Sequence, residues 1–424
     1  MQLPAPEADV VVIGGGIAGL TAAAYAARTG AAVHLYDARR DLGGRARTAV
    51  NSGFHFNQGP HALYKASEGS SILRELGIAP KGGNPPLTRT RFSLDGRLRM
   101  TPPPRALAQF LGLARRTGAD RRDPGLAQVS AHEWIEARVS DPIGRQFAAS
   151  AVRVSSYSGD LTTFSADAAA HQLHQAMRGV TYLHDGWRQL TLALEGAARA
   201  NGVAVIAGAK AVTIDRDGGR LVIGFGDGQR AVAVSVVVAA GGPDLAAGLL
   251  SDHSASLDAA AATAVPVHAA CLDLGLGELP KGSTRFVIGV DKSTYASVHT
   301  PGAHLAEQGH VVHLMFYEPD NDIGLSDLEA LADELQPGWR DHEAARQIGQ
   351  RRVVAFDRPQ PGTGLQGRPG PVVEDHPGVF VAGDWVGPID LLGSAAIASG
   401  KAAGLAASRF LTQSQSSSAA ARPL

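Results

Sequence analysis

Hydrophobic positions near the start of the chain follow two different rhythms. Val10 to Ile13 is an unbroken β-branched run, which is how a strand reads when both of its faces are buried. A glycine-rich turn follows, then an alanine-rich stretch of helical character that ends at Gly30, a natural left-handed cap. "AAVHLYD" then alternates apolar and polar and ends on Asp37. Strand, turn, helix and strand in this order predict a βαβ unit within an α/β fold. Further along, "VHAACLDLGL" from Val267 reads as a strand. "PPPRALAQFLGLARRTG" from Pro102 reads as a helix with Leu107, Phe110, Leu111 and Ala114 on one side. "DHEAAR" from Asp341 reads as a solvated helix face, and "KGGNPP", "TPPPR" and "PGTGLQGRPGP" as loops. The small polar residues of 412–424 predict a disordered tail.

Composition narrows the class. A chain of 424 residues exceeds what one core usually supports, so two domains are expected. A hydrophobic content of 44% and a formal net charge of −1 exclude polyelectrolyte character, and with it nucleic acid as a partner. Cys271 is the single cysteine, so neither an intramolecular disulfide nor a cysteine-based zinc site is possible; it reads as an inert buried thiol. His171 and His174 lie three apart, but no carboxylate cluster accompanies them, and no metal site is expected. Glu7 and Asp9 precede the first apolar run, the wrong charge order for a secretory signal. The run from Ala231 to Ala240 is far short of the roughly 20 residues of a membrane span. A cytoplasmic protein without a transmembrane segment is therefore expected. Peripheral membrane contact through the basic helix 102–118 is the alternative to ordinary packing of that helix.

The glycines of the opening turn carry chemistry. Gly14, Gly16 and Gly19 stand in the spacing G-x-G-x-x-G. The first makes the turn, the second lets a pyrophosphate approach the backbone, and the third lets helix and strand pack closely. Unpaired N–H groups at the helix start then face the phosphates with a partial positive charge. Asp37, 23 residues after Gly14, is placed to accept the ribose hydroxyls of an adenosine and would repel a 2′-phosphate. A bound dinucleotide follows from this arrangement, and NADP is disfavoured.

Directly after the second strand, "DARRDLGGRARTAV" places Gly43, Gly44 and Arg45. Here the chain resembles the flavin superfamily of amine oxidases, protoporphyrinogen oxidases and phytoene-type desaturases. That resemblance implies FAD in a Rossmann-like domain of the glutathione-reductase type, with an interleaved α+β substrate domain. It implies that Gly43 and Gly44 pass under the pyrophosphate beside Ala38 and Arg39, that Arg45 contacts phosphate and flavin, and that Ile17 and Ala18 lie in the cradle. "FNQGPHALY" resembles the segment beside the isoalloxazine, with Gly59, Pro60 and His61 in contact and Asn57 where an acid is more usual. "YLHDGWRQL" and the strands after it imply that the backbone of Val212 meets the adenine. "GVFVAGDWVGPIDLLGSAAIASGKAAGLAA" resembles the C-terminal flavin motif. It implies Gly383 and Asp384 at the ribityl or phosphate end and a helix, opening near Gly393 and Ser394, aimed at the flavin C2 oxygen.

The cofactor-side pieces are then expected at 6–64, 180–262 and 345–411, and the substrate side at 65–179 and 263–344. His61 is the candidate for moving a proton or orienting substrate. Trp187, Tyr317, Trp385 and Leu392 are candidates for the substrate pocket, with Glu318 beside Tyr317. Leu392 stands where the superfamily's amine oxidases carry an aromatic of their amine cage, which argues against a simple amine oxidase. The wording of "ACLDLGL" and "GSAAIASG" is nearer the desaturase members and implies a largely apolar small-molecule substrate. The other glycine clusters, "RDGGR" and "GFGDG", read as hairpin turns with no following helix. With no second dinucleotide cradle, oxygen or a quinone-type acceptor is expected to take the electrons. The reading is an FAD-dependent oxidoreductase taking a hydride onto flavin N5. The alternatives are a redox-neutral flavin isomerase, an amine oxidase, and a lipid-binding escort protein that uses no flavin.

Overall fold

The computed structural model of the chain describes residues 7–59, 62–87, 90–318 and 323–420. The first apolar run is the strand Glu7–Ile13, and Val10, Val11 and Val12 are fully buried in it because it lies inside a sheet covered on both faces. Its parallel neighbours are Val33–Asp37 and Arg230–Val238. Ala204–Ala207 extends the sheet beyond Val33–Asp37. On the other side, Arg230–Val238 divides its free edge. Arg220–Phe225 pairs antiparallel with the first half and Val379–Val381 parallel with the second. Ala211–Asp217 completes the seven strands, which come from three distant stretches of chain.

One face of this sheet carries the helix Ile17–Ala27, buried along its whole length, and over it the long helix Leu392–Ala420. Both contacts are made at backbone distance. A Cβ on Gly19 would lie 1.9 Å from the Gly14 carbonyl oxygen; on Gly400 and Gly404 it would lie 2.3 Å from the carbonyl oxygens of Ala18 and Ala22. No side chain larger than hydrogen fits these sites. The expected tail is largely part of this helix, which runs to Ala420. Alanine and glutamine favour helix, and the hydroxyls of Thr412 and Ser414 fold back onto the carbonyls of Ser408 and Phe410.

The second sheet runs in the order Glu343–Ala355, Val267–Leu276, His310–Tyr317, Thr294–Val298, Phe286–Gly289, Thr90–Leu94 and Arg97–Arg99. Alternate residues of Val267–Leu276 take opposite faces. Leu272, Leu274 and Leu276 pack under the helix Leu325–Leu335. Ala269 and Cys271 join Met315 and Tyr317 on the other face. The segment read as a solvated helix face at "DHEAAR" is instead the short turn Trp339–His342 leading into the strand Glu343–Ala355, whose pairing along Val267–Leu276 outweighs local helix preference. That strand also runs across the boundary expected at 345. Four helices, Pro104–Asp120, Ala131–Arg138, Pro142–Ser156 and Ala166–Met177, pack around Trp134, whose indole N–H donates to Asp120. Pro104–Asp120 buries Ala106, Leu113 and Ala114, whereas Leu107 and Leu111, expected on its packing side, are more than a third exposed. The turns "RDGGR" and "GFGDG" are hairpins, as expected. No helix among the described residues is long and apolar enough to cross a membrane.

Two tests follow. Gly400→Ala should lower stability by about 1–3 kcal/mol through overpacking, read as a fall in the midpoint of denaturant unfolding. Second, the Glu75 carboxylate accepts hydrogen bonds from Lys401 and Tyr25 (2.5 and 2.7 Å), which hold its pKa below the usual value, the Lys401 bond most. An acid whose folded pKa is depressed stabilises the fold above its unfolded pKa and loses that contribution as pH falls through the folded one. The stability gap between the native chain and Glu75→Gln should therefore be full near neutrality and close below roughly pH 4; a gap that does not narrow in acid contradicts the assignment.

Candidate functional site

The strand Glu7–Ile13 ends in a turn at Gly14, whose φ of 107° and a Cβ position 2.9 Å from the Ala239 backbone admit only glycine. Gly16 caps the helix Ile17–Ala27 with no side-chain bond, and no acidic residue stands in the first turn. Its leading N–H groups are therefore uncompensated and point a partial positive charge outward. The next loop comes back beside this turn, Gly43 bridging to Gly16 and donating its N–H to the Gly15 carbonyl at 2.7 Å. A Cβ on Gly16 would meet nothing nearer than the Gly43 carbonyl oxygen at 4.0 Å, so it would project into open space. That space is a cavity of about 520 Å³.

Gly14, Gly16, Ile17, Ala18, Asp37, Ala38, Arg39, Gly43, Gly44, Arg45, Gly59, Gly383, Asp384, Gly393 and Ser394 all line this cavity, as do Trp187 and Leu392. The helix Leu392–Ala420 also begins at its wall and has no acid in its first turn. Two uncompensated helix starts thus open onto one space. Each oxygen of the Asp37 carboxylate takes one amide, from Gly15 at 2.6 Å and Arg39 at 2.7 Å, which leaves each a further lone pair for a ribose hydroxyl. The glycine floor, the two helix starts and the acid fit FAD: Ile17 and Ala18 would hold the diphosphate, Asp37 the ribose, and Gly393 and Ser394 the flavin end.

Several residues stand elsewhere than expected. Gly19 does not line the cavity; it is the packing contact against Gly14. Val212 is 40% exposed and outside the cavity, whose wall is Ala209, Lys210 and Ala211. An irregularity in pairing between Ala211 and Thr213 shifts that strand's register, which changes the residue that meets the cavity. Trp385 is buried behind the wall, its indole N–H donating to the Gly241 carbonyl. Tyr317 is buried in the layer behind Met315 and does not itself line the cavity. Pro60 and His61 lie outside the described residues. Asn57 positions a wall residue. Its side-chain oxygen accepts from the Thr48 hydroxyl and the Trp187 N–H at 3.0 and 2.9 Å, fixing where that indole enters the wall. His171 pairs with Asp390 at 2.7 Å and His174 lies against Thr117, so the two rings have separate partners.

Arg45 and Asp384, expected at separate contacts on the cofactor, meet each other. The guanidinium donates to both carboxylate oxygens at 2.9 and 2.7 Å and to the Val354 carbonyl at 2.6 Å, stacking on Phe356 at 4.4 Å. This fork-on-fork pair ties the loop after the second strand to the last strand's exit. Arg47, which donates to the Gly44 carbonyl, also lines the cavity, a position that motif reading passes over. Local reading also misses Tyr64, Tyr157, Cys271, Met315 and Arg352 in the wall, because no short motif joins residues from separate elements. Cys271 is buried, and burial pushes its thiol pKa up, in keeping with an inert thiol. Asp384→Asn, which leaves a mostly buried guanidinium short of its counter-charge, should cost about 1–3 kcal/mol. Denaturant unfolding of the two proteins measures it, and an unchanged midpoint would show the ion pair to be dispensable.

Comparison with known proteins agrees with this geometry. Residues 12–76 match the model of the NAD(P)-binding Rossmann-like domain family. A carotenoid 3,4-desaturase of Haloarcula japonica is 52% identical over 52 residues, 12% of this chain and 10% of that protein. The chain thus aligns with only about a tenth of that relative's length. Among solved structures, an oxidoreductase from Methanosarcina mazei superposes with a TM-score of 0.73 at 19% identity, covering 92% of this chain and 99% of the other. A triple mutant of putrescine oxidase redesigned in cofactor binding superposes with 0.74 at 15% identity, covering 97% and 100%. The chain thus shares the fold of these solved structures, and its residues 12–76 match a Rossmann-like dinucleotide-binding domain.

Proposed function

We propose that the protein is an FAD-dependent oxidoreductase that removes hydride from a C–H bond of a largely apolar small molecule. The observation that carries the reading is the convergence of two uncompensated helix starts, at Ile17 and Leu392, on one glycine-floored cavity. When bound, FAD supplies the electron sink for that hydride and passes the electrons to oxygen or a quinone-type acceptor. The chain's own contribution is positional and electrostatic. The amides beginning at Gly393 and Ser394 favour negative charge at the end of the cavity they face. Trp187, Leu63 and Leu392 line the cavity and exclude water from the reacting carbon. Leu392, in place of an aromatic, supports carbon–carbon desaturation over amine oxidation.

The purified protein should be yellow, or become so on addition of FAD. Gly16→Val, whose side chain would fill the phosphate position, should retain the fold by circular dichroism yet fail to take up flavin. A folded native chain that stays colourless with excess FAD ends this reading. Under anaerobic conditions, bleaching by an apolar alkene precursor and not by simple amines is the expected outcome. Bleaching by amines alone would replace desaturation with amine oxidation.

A further inference from the structure

Five of the seven tyrosines, Tyr64, Tyr157, Tyr182, Tyr295 and Tyr317, gather at the end of the cavity remote from the phosphate cradle or directly behind it. Three have satisfied hydroxyls: Tyr64 donates to the Ser155 carbonyl, and Tyr182 and Tyr295 share a 2.6 Å bond. Two are different. The Tyr317 hydroxyl is buried with no hydrogen-bond partner in a residue only 3% exposed, and among the described residues the Tyr157 hydroxyl makes no hydrogen bond. The Tyr317 hydroxyl is closed off from the cavity, whereas Tyr157 lines it with a donor free for a ligand. Tyr317 shares a strand face with Met315, two residues earlier, and Met315 lines the cavity. Its ring meets that of Tyr157, also in the cavity wall, edge to face at 6.0 Å.

The pair is held firmly. Arg358 donates to both oxygens of Glu318, at 2.7 and 2.6 Å. Glu318 in turn accepts the N–H groups of Gly159 and Asp160 at 2.7 and 3.0 Å. The strand end bearing Tyr317 is thereby clamped to the turn bearing Tyr157. Tyr157 and Glu318 both sit in left-handed backbone, at φ of 65° and 40°, strain that the clamp must overcome. Burial raises both phenol pKa values well above normal, so the hydroxyls stay protonated and able to donate.

We propose that Tyr157, in the cavity wall, and the Tyr317 ring that backs it form the specificity end of the substrate site, with the Tyr157 hydroxyl as its donor. They select an uncharged, largely apolar molecule carrying one oxygen acceptor, a carbonyl, ether or hydroxyl, over an ammonium. Two rings in mutual edge contact leave no slot for a methylene ammonium between them. The two carboxylates that line the cavity, Asp37 and Asp384, already accept hydrogen bonds at the cradle end. The inference rests on the flavoenzyme reading only for where the reacting carbon lies; the tyrosine pair is a binding site with or without flavin.

The test is titration calorimetry with three matched probes, acetophenone, ethylbenzene and 1-phenylethylamine, on the full chain with FAD and on the same chain stripped of it. The ketone should bind roughly five- to tenfold tighter than the hydrocarbon, and the ammonium more weakly than either. Tyr157→Phe should abolish the ketone's advantage while leaving ethylbenzene binding unchanged, which shows that the site remains folded. Tyr317→Phe is the second variant and should leave that advantage in place, since its hydroxyl does not reach the cavity. Tightest binding of the ammonium, equal losses for ketone and hydrocarbon in Tyr157→Phe, or no binding of either neutral probe would overturn the proposal. A chain that shows the ketone preference but never takes up flavin would overturn the flavoenzyme reading alone.

Discussion

Backbone-to-backbone packing at Gly19, Gly400 and Gly404 is the constraint on which the site depends. The helices Ile17–Ala27 and Leu392–Ala420 touch at the distance of a hydrogen atom from a carbonyl oxygen. Their axes therefore run close together, and both helix starts come to one cavity although the two segments are separated by most of the chain. A side chain at Gly400 or Gly404 would push the two helices apart, and one at Gly19 would push the first helix off the Gly14 turn. The electrostatics then follow from the packing: two positive helix ends meet at a space with little negative protein charge to answer them. That unmet field is the physical reason for reading the cavity as the seat of an anionic, electron-accepting group.

The Arg45–Asp384 pair adds a second constraint. An arginine spent on a carboxylate and on the Val354 carbonyl has less to offer a phosphate than motif reading assigns it. It serves instead to couple the loop after Val33–Asp37 to the exit of Val379–Val381 and, through Val354, to the second sheet. On the FAD reading, a phosphate would lean on main-chain amides and on Arg47, which lines the cavity with no carboxylate within ion-pair distance among the described residues. Amides suit this role, since they need no reorganisation when the anion arrives.

How much of this could be read from the residues alone depends on how local each requirement is. The glycine turn, Asp37 and the Gly43–Arg45 loop are legible because each demand is met within a few residues of chain. Val212 is misplaced by spacing because a one-residue irregularity at Ala211 changes which backbone faces inward, and no spacing rule reveals a bulge. "DHEAAR" looks helical because its composition is; only pairing with Val267–Leu276 makes it a strand. The helical end of the chain is hidden by small polar residues that favour disorder in isolation, of which Thr412 and Ser414 bond back to the preceding turn. The tyrosine wall is beyond reach altogether, since Tyr64, Tyr157 and Tyr317 come from a strand, a helix cap and another sheet.

That wall also bears on chemistry. The cradle end of the cavity carries its charges, Asp37, Arg45, Arg47 and Asp384, whereas the far end offers rings, Met315, Cys271 and the protonated hydroxyl of Tyr157. A cation entering there would leave water without gaining a counter-charge, and aromatic faces in edge contact with each other compensate only part of that loss. A neutral oxygen acceptor avoids that penalty and gives the Tyr157 hydroxyl a partner. Selectivity between the two substrate classes thus comes from the cost of burying an unanswered group, and it acts before any electron moves.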